Sequence, residues 1–388
     1  MSDPLYDEQI ELMSKRGFTL DSRIERKQVN GLYGMYATSP INAGEVLVSY
    51  PVDQQIPLAE GFDYTGCDNF DVKYAHTAAR EFVKGKESEY YPYFLKLETM
   101  EEIKANSCYF YNEGDLDFIK KMNVILFNKI TEYNRAIKSM SDSIIAIDPS
   151  LDKELLVLII LNMNSRSWGR LGFLPIFELF NHCDLKGITL RNLENGTKRG
   201  YVSRINYQPG EQIWVAYNRQ DMYNFAVAYN YFDPTGSHFI NFSGRMVQHA
   251  KSDLEKQVFK LTSQRHKLRY QEANGVISYQ LNEPNTFFLD SAPNANQIRY
   301  IRNNCFQNVN ELTTGLSSDS SFDRRMLEIL DFLLHVNNVD AFSPKDVPEK
   351  LGRFYSMLVK EKKMLNANRK WVFMNSKDYI IHPSLANL

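Results

Sequence analysis

The chain has 388 residues, and its 45 basic and 47 acidic side chains leave a formal net charge of −2 at pH 7. Hydrophobic residues make up 43% and charged residues 24%, which excludes a mostly disordered chain, a collagen-like repeat and a coiled-coil rod. A charge so close to zero gives no overall attraction to nucleic acid or to anionic membranes, so neither is an expected partner. At about 150 residues per domain, the length predicts two or three domains.

Signals for membrane insertion, secretion and metal binding are weak or missing. The most apolar stretch, Leu155–Leu161, is much shorter than the roughly 18–20 residues that a membrane-spanning helix needs. The N-terminal sequence is acidic where a secretory signal would be basic. The four cysteines form no CxxC pair, so we expect no metal site. We expect an intracellular monomer, and the lack of a strong basic import cluster favours the cytoplasm over the nucleus.

The N-terminal quarter of the chain changes from helical to β character. Residues 1–22 are predicted to contain a leading helix over 4–17, which Gly17 can end. From residue 23, short runs of β-forming residues alternate with glycines. The run GEVLVSYP at 44–51 predicts a strand that Pro51 ends. We take 23–74 as a first β-rich segment.

Residues 75–164 have the pattern of a helical segment. Apolar side chains recur at three- and four-residue steps from Phe118 to Ile144, the spacing of one helix face. Asp152 can cap a following helix whose apolar face begins at Leu155. Between 86 and 116, a proline and two acidic clusters predict short helices and loops.

Residues 165–236 return to β character, and 237–388 are predicted to be mainly helical. In the last predicted β-strand, Ile213, Val215 and Tyr217 share one face by the two-residue period. The predicted strands are 187–193, 201–207 and 213–217, with a turn at 208–211, and the predicted C-terminal helices are 252–269, 324–339 and 347–366, followed by an extended stretch at 371–383.

Motif searches exclude several enzyme classes and direct attention to one polar cluster. The sequence contains no GxxxxGK[ST] phosphate loop, no GxSxG nucleophile elbow and no HExxH zinc motif. Asn181-His182 closes an apolar stretch, and both side chains can donate and accept hydrogen bonds to a polar ligand. Taken alone, such a pair is more often a satisfied turn or helix end. An isolated Arg166 is more often a surface or ion-pair residue.

The order of these motifs gives them more weight than any one has alone. Gly34 and Gly44-Glu45 precede the helical segment, and Ser165-Arg166, FELFNH at 177–182 and GEQIWVAY at 210–217 follow it. This order resembles the SET-domain methyltransferases, in the class typified by the Rubisco large-subunit lysine methyltransferase. The resemblance implies an α+β fold in which a helical insertion splits a β-rich SET domain. A mainly helical C-terminal lobe that binds the protein substrate would follow.

The resemblance also implies a cofactor, S-adenosylmethionine, and a set of residues that bind it. Backbone groups of the glycine turn would hold the methionine end of the cofactor, and glycine permits that close approach. A guanidinium suits the cofactor's carboxylate because it forms paired, charge-assisted hydrogen bonds. The implied cofactor-binding residues are Gly31, Leu32, Tyr33, Gly34, Arg166, Asn181 and His182.

The implied reaction is methyl transfer to the ε-amine of a lysine in a protein substrate. Tyr217 matches the family's essential tyrosine. Glu178, Tyr229 and Tyr231 match positions of the lysine channel. Tyr231 stands where the family has phenylalanine, and its extra hydroxyl is expected to limit the number of methyl groups added.

Two alternatives stay open from the sequence. A histidine acceptor is one, since a related member of the class methylates a histidine. A catalytically silent SET scaffold that binds protein partners is the other, because Asn218 and Asp221-Met222 depart from the family pattern. Phe177 and Trp168 favour lysine over histidine as the acceptor.

Overall fold

The structure is a computed structural model in which the chain forms two compact units. The first unit comprises Met1–Phe110 and Ile130–Arg219, and the second comprises Tyr111–Lys129 and Gln220–Leu388. The domain boundaries expected from the sequence stay a prediction. The residues that the structure describes are 4–29, 32–52, 61–65, 67–166, 173, 176–182, 187–215, 221–232, 240, 268–273, 276–281, 285–288 and 330–375.

Helices and strands both contribute to the described residues, so the predicted α+β class is confirmed. In chain order they are α1 (Pro4–Lys15), β1 (Thr19–Leu20), β2 (Ile24–Val29), β3 (Leu32–Ala37), β4 (Val46–Pro51), α2 (Phe70–Val83), α3 (Tyr91–Phe94), α4 (Met100–Asn106), α5 (Glu113–Met122), α6 (Val124–Ile147), α7 (Lys153–Arg166), β5 (Ile188–Leu193), β6 (Lys198–Ser203), α8 (Met222–Ala228), β7 (Leu268–Ala273), β8 (Val276–Leu281), β9 (Asn285–Phe288) and α9 (Gly352–Asn375). Residues 330–336 are also helical.

A four-stranded antiparallel sheet lies in the first unit, with the strand order β1–β4–β6–β5. Its core is aromatic. Phe177 packs edge-on against Tyr50, with ring centroids 5.0 Å apart, and lies 4.4 Å from the ring of Tyr201. All three side chains are fully buried, so the segment that follows Ile176 is fixed against the sheet by apolar burial.

Strands β2 and β3 form a separate antiparallel hairpin, closed by the pair Val29–Leu32. Met35, Tyr36 and Ala37 of β3 are buried. The strand at 46–51 forms as predicted, and so do the leading helix and the short helices between 86 and 116. The hairpin carries Gly34, one of the predicted cofactor-binding glycines.

The helical segment of the first unit packs around α2 and α7. Asp152 caps α7 as expected, because its Oδ1 accepts a hydrogen bond from the backbone N–H of Leu155 at 2.9 Å. The prediction of one continuous helix face over 118–144 is wrong at Asn123. Asn123 has extended backbone angles, and its Oδ1 accepts from the N–H of Leu126 at 2.9 Å. A side chain that caps a new helix ends the old one, so α5 and α6 are separate helices.

Two predicted strands of the first unit have different bounds in the structure. The strand predicted at 201–207 lies instead at Lys198–Ser203, because Tyr207 leaves the sheet and exchanges two backbone hydrogen bonds with Ile41, at 2.8 and 3.0 Å. The described part of the predicted strand 213–217 makes isolated bridges, one of which joins Val215 to His182.

The second unit contains a small sheet besides the helices predicted for the C-terminal region. Strands β7, β8 and β9 form an antiparallel meander. The predicted helix at 252–269 falls outside the described residues except at 268 and 269, which belong to β7. Leu268 and Arg269 pair with Leu281 and Gln280 of β8, so the helix predicted over 252–269 is wrong at its last two residues.

The last helix begins later and ends later than predicted. Pro348 and a 3₁₀ turn over Glu349–Leu351 precede it, so α9 begins at Gly352 rather than near 347. No proline or glycine interrupts it before Asn375, and the predicted extended stretch is therefore helical over 371–375. The predicted helix over 324–339 is seen over 330–336.

Helices within the described ranges are either too short or too polar to cross a bilayer.

Candidate functional site

The β2–β3 hairpin is held against the segment that leads toward Tyr217. The N–H of Ala37 donates to the carbonyl of Glu211 at 3.0 Å, and the N–H of Ile213 donates to the carbonyl of Met35 at 2.8 Å. Between these bonds, Tyr36 and Gln212 form an antiparallel bridge. The hairpin and residues 211–213 therefore behave as one short sheet, joined by bonds that span more than 170 positions of the chain.

Asn181-His182 lies along the other side of the same segment. The N–H of Val215 donates to the carbonyl of Asn181 at 3.0 Å, and His182 and Val215 form a parallel bridge. The N–H of Ile188 adds a bond of 2.7 Å to the carbonyl of Trp214. Residues 213–215 are thus held by backbone hydrogen bonds to neighbours on both sides.

The Asn181 side chain bonds directly to the β2–β3 hairpin. Its Nδ2 donates to the backbone carbonyl of Tyr33 at 2.8 Å. A Cβ atom added to Gly34 would lie 3.1 Å from Asn181 Nδ2 and 2.2 Å from Gln212 Nε2. Two side-chain amides therefore converge on one glycine of the hairpin, and only glycine leaves room for both.

Gln212 was not selected by the sequence analysis. Its Oε1 accepts a hydrogen bond from the Tyr36 hydroxyl at 3.1 Å, and this bond turns the Nε2 end toward Gly34. The alternation of Ile213 and Val215 was a usable signal, since it places Gln212 on the opposite face of the segment from those apolar residues. That face contacts the hairpin, which is far away in sequence, so the contact could not be predicted from the local pattern.

Arg166 is the last residue of α7, and its side chain is tied to the helix that carries it. Its Nε donates to Asn162 Oδ1 at 3.2 Å. Asn162 is fully buried, and its Nδ2 donates to the carbonyl oxygens of Glu98 and Leu158 at 3.0 and 3.1 Å. A buried, multiply bonded asparagine thus orients the guanidinium at the helix end.

Glu178 forms a short hydrogen bond that the sequence did not indicate. The Tyr93 hydroxyl donates to Glu178 Oε2 at 2.7 Å, and the Tyr93 ring packs against Phe173 at 5.3 Å. Glu178 Oε1 is shielded from solvent and has no hydrogen-bond partner among the described residues. A buried carboxylate oxygen without a hydrogen-bond donor is uncommon in a folded protein. Tyr93 lies in a cluster of aromatic residues, which gave no sign of a polar role.

Burial raises the pKa of the Glu178 carboxyl above its usual value, and the charge of Arg166 opposes that rise, followed by the hydrogen bond from Tyr93 and the charge of Arg26. Burial also raises the pKa of Tyr93 well above its usual value, and the neighbouring Glu178 carboxylate adds to the effect. The tyrosine is therefore a donor at all ordinary pH values. The protonation state of the Glu178 carboxyl depends on its burial and on the charges around it.

An arginine also packs against the exposed edge of the hairpin. The Arg26 guanidinium carbon lies 3.9 Å from the centre of the Tyr33 ring, and Tyr33 is 49% exposed. This cation–π contact joins β2 to β3 beside the Tyr33 carbonyl that Asn181 holds.

The remaining predicted site residues are placed as follows. Tyr217 and Gly31 lie outside the described residues, and Leu32 is described through its backbone, as the first residue of β3. Tyr229 and Tyr231 belong to the second unit. Tyr229 follows α8 directly, with its ring 5.2 Å from that of Phe225, and Tyr231 is 42% exposed. In the parts of the chain that the structure describes, no group of three histidine, cysteine, aspartate or glutamate side chains is arranged to hold a metal ion.

Comparison with known proteins gives a result for the fold and none for the sequence. No protein-family profile and no curated protein sequence matches the chain. The fold is that of the SET-domain lysine methyltransferase of Rubisco, known as Rubisco LSMT. The likeness extends over nearly the whole length of both chains, at low sequence identity.

Three solved structures illustrate this likeness. The SET domain of LSMT bound to lysine and S-adenosylhomocysteine has a TM-score of 0.59 at 14% identity, covering 99% of this chain and 95% of that one. Rubisco LSMT bound to sinefungin and monomethyllysine has a TM-score of 0.60 at 13% identity, covering 100% and 96%. Rubisco LSMT bound to S-adenosylmethionine has a TM-score of 0.59 at 13% identity, covering 97% and 93%.

Proposed function

We propose that the protein transfers a methyl group from S-adenosylmethionine to the ε-amine of a lysine in a protein substrate. The observation that supports this most is the convergence of Asn181, the Gly34 hairpin and residues 211–215 in a fold shared with Rubisco LSMT. That arrangement unites three motifs that are far apart in the sequence, in the order that the family resemblance requires.

The residues present suit this cofactor chemically. The methionine end carries a carboxylate and an ammonium group, and Arg166 supplies the positive charge that a carboxylate needs. No Cβ atom fits at Gly34, because the amides of Asn181 and Gln212 converge there, and this holds the hairpin backbone beside Asn181. Asn181, His182 and the backbone of 31–34 complete the proposed cofactor-binding set. When bound, S-adenosylmethionine supplies an electrophilic methyl on a positively charged sulfur and leaves as S-adenosylhomocysteine once the lysine nitrogen has taken the methyl.

The acceptor amine must lose a proton before it attacks. Free lysine has a pKa of about 10.4 and is almost fully protonated at pH 7. Burial in an aromatic channel lowers that pKa, and the proton passes to water. We assign to Glu178 the reception of the amine, because its Oε1 has no hydrogen bond among the described residues while Tyr93 donates to Oε2.

Tyr217 is proposed to orient the amine toward the methyl group. Alignment of the reacting atoms makes the transfer effectively intramolecular, and we take it as the main source of rate. Tyr229 and Tyr231 are proposed to line the lysine channel. The Tyr231 hydroxyl is expected to hydrogen-bond the amine or a nearby water and so limit the number of methyl groups added. Mass spectrometry of the products of wild type and Tyr231→Phe tests this, and identical methyl distributions would reject it.

The C-terminal lobe, residues 237–388, is proposed to bind the protein substrate. Its part in docking rests on the family resemblance, and the identity of the substrate is to be found by labelling.

Calorimetry tests the proposed function in two steps. S-adenosylhomocysteine is titrated first into wild type and into Asn181→Ala, and we expect micromolar binding that the substitution weakens strongly. L-lysine is then titrated into wild type saturated with S-adenosylhomocysteine, since an LSMT SET domain holds both. Thermal unfolding of the variant serves as the control for folding. Absence of S-adenosylhomocysteine binding by the folded wild type would contradict the proposal.

A further inference from the structure

Helix α9 contacts α8 and the residues that follow it, at two polar points within the second unit. One point lies at the start of α8, at Tyr223. The other lies just past its end, at Asn230, between the two tyrosines proposed for the lysine channel. The position of that short segment therefore depends on a helix more than 120 positions away in sequence.

The first point is a buried hydrogen-bond network. The Tyr223 hydroxyl donates to Glu361 Oε2 at 2.7 Å, and Asn337 Nδ2 donates to the same oxygen at 2.9 Å. Asn123 Nδ2 donates to the Tyr223 hydroxyl at 2.9 Å. These four side chains are at most 3% exposed. Buried polar groups bonded to one another in this way fix a single arrangement of the elements that carry them.

The second point is the bond between Arg353 and Asn230. Arg353 Nη2 donates to Asn230 Oδ1 at 3.3 Å. The guanidinium carbon lies 4.7 Å from the ring centre of Phe354 and 5.9 Å from that of Tyr111, so two aromatic rings restrict where the arginine can point.

Asn230 has an unusual backbone conformation that makes its side chain informative. Its φ is +52°, in the left-handed region that glycine adopts freely and that asparagine tolerates better than most residues. Glycine would meet the backbone requirement at lower cost but would offer no acceptor. The asparagine side chain is therefore best explained by its bond to Arg353.

We propose that Arg353 and Asn230 are positioning residues for the lysine channel: α9, through this bond, sets the directions of Tyr229 and Tyr231 and thereby the affinity for the acceptor amine. This inference rests on the proposed function. Helix α9 would then help to shape the lysine channel, although neither Arg353 nor Asn230 needs to touch the reacting atoms.

Three variants separate the bond from the backbone conformation. Asn230→Gly keeps the left-handed conformation and removes the acceptor. Asn230→Asp tolerates the same conformation and keeps an acceptor for the arginine. Arg353→Met removes the donor and keeps an apolar stem of similar length. Each variant is checked by thermal unfolding before any binding is measured.

Two readouts test the inference, with L-lysine and Nε-methyl-L-lysine as the probes and S-adenosylhomocysteine at saturation. Hydrogen exchange of the amides of residues 230–232 should rise in Asn230→Gly and Arg353→Met, because the segment loses its anchor. Lysine affinity in these variants should fall about threefold to tenfold, the equivalent of one lost hydrogen bond. The affinity for S-adenosylhomocysteine should stay at the wild-type value, and Asn230→Asp should resemble wild type in both readouts.

The contrary outcomes are distinguishable. If wild type binds lysine and Asn230→Gly binds it equally well, the positioning role is wrong and the proposed function stands. If Asn230→Asp is impaired as strongly as Asn230→Gly, the acceptor is not what matters, and the inference is again overturned. If wild type binds S-adenosylhomocysteine but neither form of lysine, the proposed acceptor is wrong, and the inference falls with it.

Discussion

Each unit contains a tyrosine that donates a hydrogen bond of 2.7 Å to a glutamate, and the two pairs differ in their surroundings. In the second unit, Glu361 is 1% exposed, and the oxygen that accepts from Tyr223 also accepts from Asn337. In the first unit, Glu178 is half-buried, and Tyr93 is the donor that the structure shows for its Oε2.

The two pairs differ in the number of donors to the carboxylate and in the charge beside it. Around Glu361, one oxygen receives two donors from different elements, which is the pattern of a structural connection. Around Glu178, one tyrosine donates to one oxygen, and the charge of Arg166 acts on the carboxyl. A carboxyl whose pKa is raised by burial beside a cation is a candidate for a functional role.

The largest effect is expected from removing one hydroxyl at the proposed site. Tyr217→Phe should lower methyl transfer by at least about 100-fold, comparable to the loss of one preorganised donor. The affinity for S-adenosylhomocysteine and the unfolding temperature should change little. Single-turnover transfer from labelled S-adenosylmethionine, with calorimetry and thermal unfolding alongside, measures all three. A near-normal rate would remove Tyr217 from its role.

Removal of the Tyr223 hydroxyl in the second unit should lower the stability of the protein and leave its cofactor affinity unchanged. Tyr223→Phe deletes the donor to Glu361 and leaves a buried carboxylate less satisfied. We expect a loss of about 1–3 kcal/mol in the free energy of unfolding, measured with urea. Cofactor affinity should be retained in the folded variant. If stability is unchanged, the network around Glu361 is not the structural connection described here.

A methyl group placed on the hairpin glycine tests the amides that converge there. Gly34→Ala would bring its Cβ to within 2.2 Å of Gln212 Nε2, so that amide must move, and the Asn181 amide at 3.1 Å is crowded as well. We expect S-adenosylhomocysteine affinity to fall about tenfold, the equivalent of roughly 1.4 kcal/mol.

The double variant Gly34→Ala/Gln212→Ala is the control. It removes the closest clash and should recover part of the lost affinity, as a double-mutant cycle would report. Equal affinity of Gly34→Ala and wild type would show that the hairpin glycine is not near the ligand.

The smallest effect concerns the pH dependence of stability. Because folding raises the pKa of Glu178, the folded state holds its proton to higher pH than the unfolded state. The associated stability is present below the unfolded pKa and is lost as pH rises through the folded pKa. Glu178→Gln should therefore flatten the decline in unfolding free energy above about pH 4.5, the ordinary value for this group. Parallel pH profiles for variant and wild type would contradict the raised pKa.

Sequence patterns predicted local elements and the fold class, but not the contacts that give the site its shape. The cap at Asp152 and the strand at 46–51 are local signals, and both are confirmed. The break at Asn123 was missed because apolar residues keep a helical period on both sides of it.

Tyr93 and Gln212 were missed for a different reason. Each acquires its part through a partner distant in sequence, Glu178 for the first and Gly34 for the second. The roles of Arg166, Asn181 and Tyr217 came from the order of motifs in the family resemblance, and they stay predictions.

The most direct test of the central claim is the identity of the methylated amino acid. A cell lysate is incubated with the protein and methyl-labelled S-adenosylmethionine, and the labelled proteins are hydrolysed in acid and separated into amino acids. The account predicts that the label is recovered in methylated lysine and is lost with Tyr217→Phe. Label in methylhistidine would contradict lysine as the acceptor. No label from a protein that binds S-adenosylhomocysteine would indicate a silent scaffold.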